Sequence, residues 1–217
     1  WNTLTVRAVD RQGLSAGASV VVNADTGAAH AGIGSFFESG VLPLETVLRV
    51  ASPGASDQAF LSSEGPGPLE MLGQPEENEY AVRLSGKGFY FLTAGPADGS
   101  ASPDTLAILV LDRPEIDALL RGKWNAMRSC LVLGDTEGAL AHFSLTARGE
   151  YRRIFTIIGA DLPAMAAGMG DMELVCIRER TAKYRIAKGG AGGGNEALSC
   201  YIYFVRDAYG HWYIHSF

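Results

Sequence analysis

The spacing of apolar residues changes twice along this chain, and those changes limit the folds that it can adopt. Up to about residue 112, short segments alternate between apolar and polar residues, with Gly, Pro and Ser between them. From Pro114 to about residue 169 the apolar residues recur at helical spacing, and from residue 172 the period returns to two. This order predicts an all-β part, then helices, then an antiparallel sheet, which is an α+β arrangement.

The all-β part contains eight predicted strands. Residues 3–9 and 18–23 form a hairpin around a turn at 11–14, and a loose Gly/Ala-rich stretch covers residues 25–34. The remaining strands are 44–51, 59–62, 69–72, 80–84, 88–94 and 105–111. Many short strands separated by frequent turn signals favour a sandwich.

Four helices follow, and residues that favour helix ends mark their boundaries. These residues are, in chain order, Asp112, Pro114, Gly134, Asp135, Ser144, Gly159, Asp161 and Pro163. Four strands are then predicted at 172–180, 182–187, 198–206 and 211–217. The glycine-rich residues 189–195 predict a flexible loop between two of these strands, since a phosphate-binding loop joins a strand to a helix.

The charge distribution differs between the two parts and limits the classes of partner. Residues 1–112 carry 5 Lys/Arg and 13 Asp/Glu, whereas residues 113–217 carry 13 Lys/Arg and 11 Asp/Glu. Neither part is basic enough to indicate a nucleic-acid partner. Because no apolar run approaches the roughly 20 residues that span a bilayer, we expect no membrane span in this segment.

Three cysteines, Cys130, Cys176 and Cys200, lie in the second part. Their odd number and irregular spacing match neither a disulfide framework nor a zinc site. Cys176 and Cys200 could meet across neighbouring strands, but we expect all three to be unbonded. We also expect a segment of a longer protein, because strand-like sequence begins at residue 1 without a Met or a targeting signal.

The first part resembles bacterial immunoglobulin-like modules of the polycystic-kidney-disease type. In those modules a Gly/Pro turn leads into the first core strands, as in residues 39–48, which begin Ser39-Gly40-Val41-Leu42-Pro43, and a later strand resembles residues 88–94. Residues 3–23 resemble the closing hairpin of such a module. The resemblance implies a sandwich at residues 25–112, with residues 1–24 forming either its first strands or the closing hairpin of a preceding module.

Residues 115–217 resemble the nuclear transport factor 2-like (SnoaL-like) superfamily. The resemblance lies in the helical pattern Trp124, Met127, Leu131, Gly134-Asp135, Gly138-Ala139-Leu140 and Phe143, and in the final pattern Tyr201-Ile202-Tyr203-Phe204-Val205-Arg206-Asp207 and Gly210-His211-Trp212-Tyr213-Ile214. It implies an α+β cone at residues 113–217, in which helices pack on a curved antiparallel sheet with a pocket at the open end. Because this fold hosts many unrelated activities, it implies none in particular.

Enzymes of that superfamily place an Asp/His or Asp/Tyr pair in the cone, where an apolar pocket tunes the base. Possible pocket residues are His142, Tyr151 and Tyr184, and the remaining candidates are Asp161, Tyr201, Tyr203 and His215. None of them lies in a motif that assigns a role, so we assign no catalytic, cofactor-binding or metal-binding residue. His211 and His215 share a strand face but would need a third metal ligand, which the sequence does not show.

The predicted strand at 198–206 is apolar or aromatic on both faces. A strand with one face in water should alternate, so we expect a protein partner, a second copy or the β-rich part to cover the second face. The predicted interface comprises Tyr201, Tyr203, Val205, Tyr213 and His215. A basic patch (Arg178, Arg180, Lys183, Arg185 and Lys188) is either solvated or in contact with the acidic cluster of Glu76, Glu77 and Glu79.

The leading hypothesis is a non-catalytic interaction or assembly module of a bacterial exported or cell-surface protein. The extracytoplasmic location follows from the family resemblance alone. The alternative is a small-molecule-binding or proton-transfer enzyme that uses the cone pocket. An open cavity with converging polar groups would favour this alternative, but we expect the cone to be filled by Trp124, Met127, Phe155 and Met165, and we expect no cofactor.

Overall fold

The computed structural model describes residues 2–9, 15–22, 30–51, 59–187 and 199–217, and within them most ordered residues are in strands. The first two strands, Asn2–Val9 (β1) and Ser15–Val22 (β2), pair antiparallel in a two-stranded sheet. The predicted hairpin is therefore confirmed, while its predicted turn at 11–14 lies outside the described residues.

Two four-stranded sheets follow and share one hydrophobic core. The first is antiparallel and contains, in sheet order, Gly32–Ser35 (β3), Leu44–Ala51 (β5), Glu79–Leu84 (β8) and Leu69–Gly73 (β7). The second contains Ser39–Val41 (β4), Asp104–Leu111 (β10), Gly88–Pro96 (β9) and Ala59–Glu64 (β6). Alternate residues of both sheets, such as Leu48, Val82, Tyr90 and Ile108, meet in the core, as the period of two requires.

Six of these eight strands were predicted, and β3 and β4 were not. The two missed strands contain four and three residues and carry three glycines between them, so they show too little alternation to be recognised. Strand β4 pairs parallel to β10, whereas the other pairings in its sheet are antiparallel.

The helices are Arg113–Val132 (α1), Thr136–Leu140 (α2), Leu145–Ile158 (α3) and Leu162–Ala167 (α4), with a 3₁₀ turn at Gly159–Asp161. Each contributes buried apolar residues to a second core, including Leu120, Leu140, Phe155 and Leu162. Among the described residues, none of the helices combines the length and the hydropathy that crossing a bilayer requires.

Most of the predicted helix boundaries are confirmed. The side chains of Asp112 and Asp135 accept hydrogen bonds from the N–H groups of Glu115 and Gly138, at 2.9 and 2.8 Å. Gly134 adopts a φ of +76°, which favours glycine after a helix. Ser144 occupies the N-cap position of α3, as predicted, but its hydroxyl makes no cap bond and lies 3.2 Å from Nδ1 of His215.

The last sheet is an antiparallel meander in the order Met172–Arg178 (β11), Thr181–Ala187 (β12), Ser199–Arg206 (β13) and Trp212–Ser216 (β14). These are the four strands that the sequence predicts, with small shifts at their ends. The inner face, which includes Tyr184, Ile202, Phe204 and Ile214, is buried in the helical core. The predicted loop at 189–195 lies outside the described residues.

The predicted fold class is wrong. The described chain is mainly β and divides its strands among three small sheets and a hairpin, and it shows neither a clear immunoglobulin-like sandwich at the start nor an α+β cone at the end. The two halves are also not separately closed, because Val41 of β4 and Leu111 of β10 pack against the core that the helices form. Local periodicity identified strands and helices, but it did not contain the information on which distant strands pair.

Candidate functional site

The outer face of the β11–β14 sheet carries the predicted interface residues. On β13, Ile202 and Phe204 point inward and are fully buried, while Tyr201 is 44% exposed and Tyr203 and Val205 are half-buried. We call the outer surface formed by Tyr201, Tyr203, Val205, Tyr213 and His215 the tyrosine face. The described part of the chain does not bury it fully, so its expected burial against a partner stays a prediction.

Lys183 gives the tyrosine face an ordered cation. It lies opposite Tyr203 in the β12–β13 register, and its Nζ is 3.9 Å from the centroid of the Tyr201 ring and 5.4 Å from that of Tyr203. Its hydrogen bond with Tyr203 raises the pKa of Lys183. The next row along the sheet holds an ion pair of Arg185 and Glu173 at 2.5 Å. The face therefore presents aromatic rings together with charges of both signs.

His211 and His215, for which the sequence shows no third metal ligand, have different neighbours. Nδ1 of His215 lies 3.2 Å from the hydroxyl of Ser144, and Nδ1 of His211 lies 3.6 Å from Oδ2 of Asp207. In the described residues, no three His, Cys, Asp or Glu side chains approach one another closely enough to hold a metal ion.

Tyr184, a candidate pocket residue on β12, is fully buried, and its hydroxyl reaches α1. Its hydroxyl donates to Oδ1 of Asp117 at 2.9 Å, and Oδ2 of the same carboxylate accepts from Nε of Arg121 at 2.9 Å. Burial, followed by the bond to Asp117, raises the pKa of Tyr184 well above its usual value. The hydroxyl thus stays protonated and links the helix to the sheet, which is a structural arrangement.

The other two pocket candidates take part in hydrogen bonds that involve the main chain. The hydroxyl of Tyr151 donates to the carbonyl of Phe217 at 3.0 Å and accepts from its N–H at 2.7 Å. The main-chain carbonyl of His142 accepts from the N–H of Ile214 at 2.9 Å, and its half-buried ring has a lowered pKa because of burial and the nearby Lys123. The structure therefore does not bring His142, Tyr151 and Tyr184 together around one reacting position.

An apolar cavity of about 590 Å³ lies elsewhere, between α1, α4 and the ends of β12 and β13. Its lining includes Trp124, Met165, Met169, Ile186, Cys200 and Phe217, and none of its described lining residues is charged. Of the four residues expected to fill the cone, Trp124, Met127 and Phe155 are buried, but Met165 is 50% exposed and borders the cavity. The predicted filling is therefore incomplete.

A second cavity, of about 400 Å³, lies between the β-rich part and the last sheet, and we call it the arginine cleft. Its charged residues are Arg180, Arg206, Glu38 and Glu179, and its apolar wall includes Phe36 and Phe89. Nη2 of Arg206 donates to the buried hydroxyl of Ser39 at 2.9 Å. Sequence reasoning placed Arg180 in a general basic patch and missed Arg206, since the contact with Ser39 spans 167 residues.

Of the two alternatives for the basic patch, contact with the acidic cluster does not form among the described residues. Glu79 pairs instead with Arg49 at 2.6 Å, and Lys188 lies outside the described residues.

The three cysteines are unbonded. The suggestion that Cys176 and Cys200 lie on neighbouring strands is wrong, because β12 separates β11 from β13.

Comparison of the chain with protein-family models, curated proteins and solved structures finds no match. The resemblances to the two families therefore stay predictions. Three features of the described surface could bind a partner or a ligand: the tyrosine face, the apolar cavity and the arginine cleft.

Proposed function

We propose that this chain is a non-catalytic interaction module that associates with a second copy of itself through the tyrosine face. The observation that carries the proposal is the exposure of Tyr201 beside Lys183, on a sheet face whose other aromatic residues are only partly covered. Exposed aromatic surface on a sheet is a common feature of protein–protein contacts, where Tyr side chains often supply much of the binding energy.

The charges on this face suit contact between two identical surfaces. In a twofold interface each residue faces a patch of the same chain, so the surface must be complementary to itself. Arg185 and Glu173 lie next to each other on the face, and a twofold rotation can place each near its opposite in the second copy. The aromatic rings of Tyr201 and Tyr203 would then pack at the centre of the contact.

The placement of the polar candidates supports a non-catalytic role. The hydroxyls of Tyr151 and Tyr184 already bond within the core. A proton-transfer enzyme needs a base and a donor that converge on a space for the substrate. The hydroxyls of Tyr151 and Tyr184 do not converge in this way. The expected extracytoplasmic location of the parent protein stays a prediction that follows from the family resemblance alone.

Sedimentation velocity over a range of protein concentrations tests the proposal. We expect the wild-type chain to show a reversible monomer–dimer equilibrium, and Tyr201→Glu or Tyr203→Glu to abolish the dimer while the circular dichroism spectrum is unchanged. The matched control is Tyr209→Glu, because Tyr209 is exposed in the turn between β13 and β14 and should leave the dimer intact. A wild-type chain that stays monomeric at every concentration would refute the proposal.

The apolar cavity favours a second candidate function, the binding of an uncharged apolar small molecule. Its volume falls in the range of small-molecule sites, and none of its described lining residues is charged. Naphthalene should change the tryptophan fluorescence of the wild type, and Ala164→Phe, which fills the cavity, should suppress that change. The matched control is Ala160→Phe, at an exposed position outside the cavity lining. An equal response in both variants would exclude this candidate.

A further inference from the structure

We propose that the arginine cleft binds a carboxylate group attached to an apolar group, with the carboxylate on Arg206 and Arg180 and the apolar group against Phe36 and Phe89. The lining of the cleft shares no residue with the tyrosine face, and this inference goes beyond the proposed self-association. Its walls come from both parts of the chain, so the site exists only where the β4 region and the β13 end meet.

The first observation is a half-buried guanidinium without an acidic partner. Nη2 of Arg206 donates to the Ser39 hydroxyl, and the guanidinium lies 5.9 Å from the centroid of the Trp212 ring. Burial and the neighbouring Arg180 lower the pKa of Arg206, so its surroundings disfavour the positive charge. No carboxylate lies within 4.0 Å of either guanidinium in the described ranges. Buried charges are usually paired, and an incoming anion would supply the missing partner.

The second observation is that the two arginines are held close together. Nε of Arg180 donates to the carbonyl of Arg206 at 2.9 Å, and the N–H of Arg206 donates to the carbonyl of Arg180 at 2.8 Å. The first bond holds the Arg180 side chain and the second joins the two main chains, while the Arg206 side chain is held by Ser39, so both residues lie at the same end of the β12–β13 pair. A guanidinium presents five donors in a planar fork, which matches the two oxygens of a carboxylate. The remaining donors of both residues are available for such a ligand.

The third observation is the apolar wall that adjoins the arginines. Phe36 is 55% exposed and Phe89 is 57% exposed, and both border the cleft together with Leu109. Aromatic rings left in water cost free energy that an apolar ligand group recovers on binding. The wall therefore favours a carboxylate that carries an apolar group over a small hydrophilic acid.

The two glutamates of the cleft restrict the charge of the ligand. Glu38 and Glu179 are exposed residues of the same lining, and their charges offset those of the two arginines. Because the lining carries two charges of each sign, it has no excess positive charge to offset the larger desolvation cost of a phosphate with close to two negative charges. The balance of charge thus selects a monocarboxylate.

Isothermal titration calorimetry with paired probes tests the proposal. Phenylacetate should bind, and phenylacetamide, which has the same ring without the charge, should bind at least about tenfold more weakly, as expected for loss of charge-assisted hydrogen bonds. A second pair, the tripeptide glycyl-glycyl-phenylalanine with an acetylated amino end and either a free carboxylate or an amide, distinguishes the two sources of this chemistry. Binding of the peptide acid indicates a protein C-terminus, and binding of phenylacetate alone indicates a small-molecule acid.

Matched variants locate the binding. Arg206→Gln and Arg180→Gln should each weaken phenylacetate binding by about tenfold or more, whereas Arg153→Gln, on the exposed surface of α3, should not. Phe89→Ala should weaken it, whereas Phe60→Ala should not, because Phe60 is an exposed aromatic residue of β6 outside the cleft lining. Arg180→Gln is at an exposed position, so it keeps the test valid if Arg206→Gln destabilises the fold.

Three results would overturn the inference. The first is equal binding of phenylacetate and phenylacetamide, or binding of neither. The second is phenylacetate binding that is unchanged in both arginine variants. The third is tighter binding of inorganic phosphate than of phenylacetate, because the charge balance of the cleft predicts the reverse.

Discussion

At the scale of single residues, the polar groups inside the helical core are used to join elements. Tyr184 joins β12 to α1 through Asp117, and Tyr151 joins α3 to the end of the chain through Phe217. Buried polar groups that lack a partner destabilise a fold, so each hydroxyl needs a bond of this kind. The sequence identified these tyrosines as candidates because a phenol hydroxyl can donate or accept a proton. Their hydrogen-bond partners, Asp117 and Phe217, could be identified only from the structure.

His142 leads to a prediction about pH. Burial and Lys123 lower its pKa in the folded chain, whereas an unfolded His titrates near a pKa of about 6.5. As the pH falls below about 6.5, the unfolded state therefore takes up the proton first, and the stability that neutral His142 contributes above that pH is lost. We expect His142→Gln to lose less thermal stability than the wild type between about pH 7 and about pH 5.5. Parallel melting temperatures for both chains across this interval would contradict the assignment.

At the scale of elements, two glycines with opposite surroundings predict opposite effects of the same substitution. Gly122 lies exposed within α1, where an added Cβ meets nothing within 4 Å. Gly122→Ala should raise the free energy of unfolding by about 0.5–1 kcal/mol, because glycine is a poor helix former. Urea unfolding followed by circular dichroism measures this change.

Gly86 is the matched comparison. Its N–H donates to the Tyr90 hydroxyl at 2.7 Å, and an added Cβ would lie 2.9 Å from main-chain atoms of Gly67 and Pro66. Because main-chain atoms cannot easily move away, Gly86→Ala should lower the free energy of unfolding by about 1–3 kcal/mol. A neutral Gly86→Ala in the same urea experiment would show that this turn is looser than its contacts indicate.

Local sequence signals predicted most of the described helices and strands. The helices were found because Asp112, Asp135 and the glycines at helix ends are local signals, and twelve of the fourteen described strands were found from a period of two. The predicted ends of several of these strands shift by one to three residues; β2, for example, begins three residues earlier than predicted. Among the described strands only β3 and β4 were missed, because four and three residues are too short to show a period.

At the scale of the whole molecule, the missing information is which distant segments meet. The parallel pairing of β4 with β10 joins residues about 70 positions apart. The hydrogen bond from Arg206 to Ser39 joins residues 167 positions apart. Nothing in the periodicity of either segment encodes such a contact. For this reason Tyr201 and Tyr203 could be predicted as interface residues from one strand, whereas the arginine cleft, which needs both halves, could not be predicted.

The contact between the halves predicts that they unfold together. Leu111, at the end of β10, packs against the core that holds Trp124 and Trp212. Leu111→Ala should lower the free energy of unfolding by about 1–3 kcal/mol, less than for a fully buried leucine. In a Trp1→Phe background, which leaves Trp124 and Trp212 of the helical core as the fluorophores, Leu111→Ala should also shift urea unfolding equally when followed by tryptophan fluorescence and by circular dichroism, which also reports on the β-rich part. Leu133→Ala is the control, because Leu133 is 83% exposed after α1, and it should change neither signal. Two separate transitions in the wild type would instead show that the parts on either side of residue 113 fold independently.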